Sequence, residues 1–182
     1  MGFDISITSA TKYYSGHSDV MGGTVAVNKK VYKKVWWYNH VSGYRLSPDD
    51  AYLIIRGLRT LDIRMDKHQE STKKVINFLK TQRKVYKILY PYKTSSKEFK
   101  LWKKYYNGAS GLVSLIIKSS SKNSVYKFVN KLELFGIGYS WGGFESLAVY
   151  TDPVELGKRR YFKLKKNEHL VRLHIGLEDP KD

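Results

Sequence analysis

In the stretch DISITSATKYYSGHSDVMGG, residues 4–23, one lysine, Lys12, stands among hydroxyls and glycines in a chain of 33 lysines and arginines. A lysine amine that is partly deprotonated by burial or a nearby cation can form an imine with an aldehyde. Ser9 and Thr11 set hydroxyls beside it that suit a phosphate. Together Ser9, Thr11 and Lys12 fit pyridoxal phosphate, whose aldehyde needs an amine and whose phosphate needs neutral donors. The spacing alone favours a plainer reading, a lysine on a surface turn. Ser9 and Lys12 also satisfy S-x-x-K, but the companion S-D-N and K-T-G motifs of the penicillin-recognising acyl-transfer enzymes are absent.

Two further places carry chemical potential. In GIGYSWGGFESL, residues 136–147, glycine pairs flank Ser140 and Trp141, a pattern for a tight backbone path that presents a hydroxyl and an indole, or for a turn packed on a core tryptophan. Arg172 is alone on the polar face of the run HLVRLHIG, where it suits a two-pronged grip on a carboxylate or a surface ion pair. The five histidines form no metal pattern: His17 and Asp19 are close, but no convergent cluster follows, so no metal is expected.

The elements that must position these residues are legible as patterns. Phe3, Ile5 and Ile7 alternate with Asp4, Ser6 and Thr8 as in a strand, and TVAV at 24–27 is a second β-branched run, so Lys12 falls just past a strand end. Ser47 as cap, Pro48 at the first helical position and the acids Asp49 and Asp50 mark a helix start. An apolar stripe from Ala51 to Leu79 continues it, with a break expected at Gly57 or around residues 68–72. Strands are expected at 85–90, halted by Pro91, and at 112–118, 145–150 and 169–176. A helix is expected over 121–135, with Val125, Phe128, Val129 and Leu132 on one face. Mixed strands and helices define the α/β class.

With 182 residues, 42% of them hydrophobic, the chain can bury a core; no cysteine is present for disulfides or thiolate metal sites. No apolar run approaches the ~18 residues that span a bilayer, and MGFDISITSA lacks the features of a signal peptide, so the expected location is the cytoplasm. The net charge of +17 raises the question of nucleic acid, yet it is scattered: residues 1–28 carry −1, leaving +18 over the other 154 without a dense basic block or nucleic-acid module.

Five collinear segments, SATKYYSGHSDVMGG, LSPDDAYLIIRGLRTLDIRM, VYKILYP, GIGYSWGGFESL and LVRLHIGLEDP, resemble the trans-sulfuration family of pyridoxal-phosphate enzymes, and within it the cystathionine β-lyases. The resemblance implies a fold-type-I PLP-dependent transferase-like fragment. Residues 1–48 would be the end of the large cofactor domain, 49–83 a bridging helix region and 84–182 a small C-terminal α/β domain. It implies that Lys12 bonds the cofactor aldehyde and later moves protons, that Ser9 and Thr11 contact its phosphate, and that Ser140 and Arg172 hold the substrate carboxylate. Trp141 follows Ser140 where several γ-acting relatives carry leucine, which favours the β-lyase branch. The reaction implied is PLP-dependent carbon–sulfur lysis: cystathionine and water give homocysteine, pyruvate and ammonia. Relatives in this family are about twice as long and form homo-oligomers. The chain is therefore expected to be N-terminally truncated and inactive alone, completed by a separate N-terminal half-chain, or reused as a basic remnant that binds an anionic partner.

Overall fold

The computed structural model describes residues 2–92, 98–157, 159 and 161–182. The chain divides into two compact units, residues 1–61 and 62–182. Among the described residues no helix is long and apolar enough to cross a membrane.

In the N-terminal unit, β1 (Ile5–Ser9) and β2 (Gly23–Val27) form an antiparallel ribbon in which Ile5 faces Val27, Ile7 faces Val25 and Ser9 faces Gly23. Asn28 ends the ribbon and starts α1 (Lys29–Ser42). Its side-chain oxygen accepts from the amides of Lys30 and Val31, and its Nδ2 donates to Asp4 Oδ1 at 2.6 Å. The N-cap of α2 (Pro48–Leu58) is the one expected, with the Ser47 hydroxyl accepting from the Asp50 amide at 3.1 Å. Ala10, Val20 and Ile54 form the small core of this unit, with Tyr14 and Leu53 against it.

The apolar stripe beyond Ser47 divides at residues 59–60 into α2 and α3 (Leu61–Leu79), beside Gly57 and ahead of the polar stretch at 68–72, through which α3 runs unbroken. Three donors converge on one acceptor there: the amides of Arg59 and Thr60 and the Thr60 hydroxyl, at 3.2 Å, all reach the Gly57 carbonyl. That closes α2 in a tight turn. A Cβ on Gly57 would fall deep inside contact with the carbonyl oxygens of Tyr14 and Ser15. The absent side chain is what lets α2 approach the turn that holds Lys12.

The C-terminal unit is a five-stranded sheet in the order β3-β4-β7-β6-β5: β3 (Val85–Leu89), β4 (Leu112–Lys118), β7 (Glu168–His174), β6 (Leu147–Thr151) and β5 (Gly136–Ile137). Only the β5–β6 pair is parallel. Alternation sends Val113, Leu115, Ile117, Val171, Leu173 and Ala148 to one face, where Ile76 and Leu79 of α3 and Val125 and Val129 of α5 (Lys122–Asn130) complete the core. The helix expected over 121–135 stops at Asn130 because the amides of Lys131 and Leu132 bond three residues back, and the chain then straightens into β5. Phe128, expected on the buried face, is exposed. The remaining helices are α4 (Glu98–Tyr105) and α6 (Pro153–Gly157).

Gly57→Ala is expected to destabilise the N-terminal unit by about 1–3 kcal/mol, the range for overpacking a filled site. The intrinsic helix preference of alanine, up to about 1 kcal/mol, is too small to offset it. Urea unfolding followed by circular dichroism reads the difference, and an equally stable variant would contradict the close approach of α2.

Candidate functional site

The turn that carries Lys12 is held by backbone bonds together with the hydroxyls of Ser15 and Thr11. Ser15 N–H donates to the Ala10 carbonyl at 3.0 Å and Gly16 N–H to the Lys12 carbonyl at 2.8 Å. The buried Ser15 hydroxyl lies 2.9 Å from the Thr11 carbonyl and 3.3 Å from that of Lys12. Gly16 ends the turn at φ 71°, a conformation that favours glycine. The Lys12 side chain is half-buried on this fixed turn.

Thr11 closes on Gly22 from both sides. Its hydroxyl donates to the Gly22 carbonyl at 3.2 Å and accepts from the Gly22 amide at 3.0 Å, while the Ala10 amide reaches the same carbonyl at 2.9 Å. The hydroxyl has a single proton, so here Thr11 acts first as the clasp between the two ends of the loop. Ser9 stands exposed at the end of β1. A lysine whose backbone amide bonds the Ser9 carbonyl at 3.4 Å, on a turn that also bears the hydroxyls of Ser9 and Thr11, has a donor set whose chemistry fits an aldehyde-bearing phosphate. His17 Nδ1 lies 2.6 Å from the Ser15 carbonyl.

In the C-terminal unit Arg172 sits on β7, the central strand, opposite Ser114 on β4 and Val149 on β6. The glycine-rich segment folds over it. Arg172 Nη2 donates to the carbonyls of Tyr139 at 2.6 Å, Ser140 at 3.2 Å and Gly138 at 3.5 Å. Its Nε is buried and has no hydrogen-bond partner among the described residues. Burial lowers the pKa of this guanidinium and the nearby Tyr139 opposes the shift, but arginine keeps its charge throughout. A charged fork, held at Nη2 by carbonyls and with Nε unpartnered among the described residues, has the chemistry to bind a carboxylate. Ser140 is exposed and Trp141 half-buried. Ser140, Trp141 and Arg172 are thus brought together within one unit, as Ser9, Thr11 and Lys12 are in the other.

Sequence reasoning missed the residues that hold the 140–146 segment. Gly142, at φ 86°, donates its amide to His174 Nε2 at 2.7 Å, and His174 Nδ1–H donates to the Glu145 carbonyl at 3.1 Å. Ser146 bonds both oxygens of Glu178, from its amide at 2.7 Å and its hydroxyl at 2.9 Å. The available signal was parity: His174 follows Arg172 by two on a strand and shares its face. His68 lies edge-on to His174 at 5.2 Å between ring centroids and donates from Nδ1 to the Ile175 carbonyl at 2.8 Å. A separate cavity of about 610 Å³, lined by Met65, Asp66, Tyr90, Trp102, Tyr106 and Leu112 among others, contains none of the sequence-predicted residues.

The chain belongs to the family described as Cys/Met metabolism PLP-dependent enzyme, which matches residues 1–182. Its relatives include the cystathionine beta-lyases of Bordetella avium, 38% identical over 183 residues, and Escherichia coli, 37% identical over 183; each alignment covers 100% of this chain and 46% of the relative. Among solved structures, cystathionine gamma synthase from Xanthomonas oryzae pv. oryzae in complex with aminoacrylate and cysteine superposes with a TM-score of 0.86 at 29% identity, over 99% of this chain and 47% of the other. The chain spans about half the length of the curated relatives it matches.

Burial, and secondarily the neighbouring His68, push His174 down to about 4, against the opposing pull of the Glu145 carbonyl and the charges of Glu145 and Glu178. His68 is lowered by burial as well. Both rings are therefore neutral when folded and titrate near pH 6.5 when unfolded, so the unfolded chain binds more protons and stability falls with falling pH. Urea unfolding is expected to show full stability above pH 6.5 and a loss on the order of 3 kcal/mol by pH 4. A flat profile across that window would contradict a neutral buried His174.

Proposed function

We propose that this chain carries the lysine and the carboxylate-binding half of a cystathionine β-lyase-like enzyme, acting by β-elimination on cystathionine or a related sulfur amino acid. The observation that carries the reading is the Arg172 guanidinium, held at Nη2 by carbonyls of the glycine-rich segment while its buried Nε has no hydrogen-bond partner among the described residues. In this reading residues 1–48 are the end of a cofactor domain, 49–83 bridge, and 84–182 form the small domain.

Bound pyridoxal phosphate supplies an aldehyde and an electron-withdrawing ring that accepts the electron pair left by the α-proton. Lys12 Nζ would be the amine that holds that aldehyde, and it would take the proton from the α-carbon; its clamped turn fixes where the amine can reach. The Ser9 hydroxyl donates to the phosphate. Thr11 joins it only by releasing its proton from the Gly22 carbonyl, and otherwise keeps the loop closed. Arg172 would hold the substrate carboxylate with Ser140 beside it, and the half-buried Trp141 follows in the same segment. That bond breaks at the β-carbon, its electron pair and a proton leave on the thiol, and water then releases pyruvate and ammonia.

One observation favours a second polypeptide segment in the active form. The β1–β2 ribbon has only two strands, and such ribbons are marginal alone. Around it Phe3, Ile7, Trp37 and Tyr38 are 78%, 76%, 61% and 71% exposed. Chain equivalent to the rest of the relatives' length, on the same polypeptide or a separate one, would cover these surfaces and assemble into the family oligomer.

Borohydride reduction after incubation with pyridoxal phosphate is expected to leave a stable adduct on Lys12, located by peptide mass spectrometry and lost in Lys12→Ala. Labelling spread evenly over the lysines would sink the assignment. With cystathionine, pyruvate is expected only when the complementary segment is supplied; pyruvate from this chain alone would remove the need for it, and 2-oxobutyrate would move the reaction to the γ-branch. Arg172→Lys, which keeps the charge and loses the fork, is expected to raise KM for cystathionine by about tenfold or more.

A further inference from the structure

The segment that forms the proposed substrate pocket crosses two side chains of β7 in succession. Carbonyls 138–140 rest on Arg172, and two residues further along each strand of the contact the Gly142 amide rests on His174. We propose that His174 is the positioning residue of this pocket: by bridging Gly142 and Glu145 it fixes the turn after Trp141, and through that turn the carbonyls that aim the Arg172 guanidinium. The proposal rests on the reading of Arg172 as the carboxylate fork.

The chemistry of the bridge is specific. Gly142 offers a hydrogen, so His174 Nε2 must present its lone pair; Nδ1 then carries the ring proton, which goes to the Glu145 carbonyl. One neutral ring thus ties both ends of a four-residue turn whose first residue, at φ 86°, needs glycine. His174 is 0% exposed and Gly142 is buried, so losing the bond between them leaves a buried backbone donor short of its acceptor. Protonation would set two donors, Nε2–H and the Gly142 amide, against each other. The groups facing the ring are His68, which disfavours its charge, and Glu145 and Glu178, which favour it. The packing admits nothing larger nearby: a Cβ on Gly111 would collide with the Ile175 carbonyl and lie 3.4 Å from His174 Nε2.

Two substitutions separate this role from simple space-filling. In His174→Gln the amide oxygen reaches the position of Nε2 and can accept from Gly142. In His174→Asn the amide nitrogen mimics Nδ1 and the acceptor for Gly142 is lost. Nuclear magnetic resonance on the full chain then reads hydrogen exchange at the Gly142 amide and the Arg172 Nε–H shift on titration with L-cystathionine. The expected results are Gly142 exchange faster by about tenfold or more in His174→Asn, with cystathionine binding weakened to match, and both restored towards the unaltered chain in His174→Gln. Unchanged exchange in His174→Asn overturns the proposal, as does faster exchange with unchanged cystathionine affinity.

If neither variant folds, the unaltered chain decides: a through-hydrogen-bond coupling between the Gly142 amide and an unprotonated His174 Nε2 supports the bridge, and its absence overturns it. An unaltered chain whose Arg172 Nε–H ignores L-cystathionine refutes the substrate reading instead, and the exchange rates alone then judge His174.

Discussion

A guanidinium cannot shed its charge to suit its surroundings, so an arginine on the central strand of a sheet must be given acceptors. Arg172 obtains them from three consecutive carbonyls of a segment more than thirty residues earlier. Much of the C-terminal unit follows from this. The segment must be rich in glycine to bend over the strand, must be tied down beyond its bend, and finds those ties in His174 and Glu178 on the same stretch of chain as the arginine. One edge of the guanidinium is structural, and in the proposed function the other meets the substrate carboxylate.

The N-terminal unit solves a related problem without a buried charge. In the proposed function Lys12 has to stay solvated enough to carry its amine and fixed enough to aim it. Its backbone is therefore immobilised, by Ser15 below and by the Thr11–Gly22 clasp beside it, while the side chain is only half-buried. Gly57 belongs to the same arrangement, because its bare α-carbon lets α2 press against the carbonyls of Tyr14 and Ser15.

The sequence carried the local features well. Leu112–Lys118 is a strand where its mostly apolar run predicts one, and Ser47 with Pro48 starts a helix as their chemistry requires. α1 escaped notice for a physical reason: Val31, Trp36, Trp37 and Tyr38 are spread around its circumference and none of its residues is buried, so no stripe marks it. The division at residues 59–60 lies beside Gly57, one of the two places where the sequence predicts a break; how it is made, by a hydroxyl and two amides converging on one carbonyl, is what periodicity does not register. At the site, the side of the strand on which Arg172 lies was readable from alternation. The carbonyls that meet it and the role of His174 were not, because both arise from a fold-back between segments some thirty residues apart.

The order of strands in the sheet has a consequence for how the molecule comes into being. β7 lies between β4 and β6, yet it is synthesised after every strand it pairs with. Until it emerges from the ribosome, β4 and β6 have no shared neighbour, and the apolar side chains of Leu115 and Ala148 await a centre that has not been made. A sheet closed by its last strand is built on distant pairings, which slows folding and leaves open edges exposed meanwhile. Arg172 and His174 arrive with that strand, so the step that completes the sheet also brings the pocket residues together.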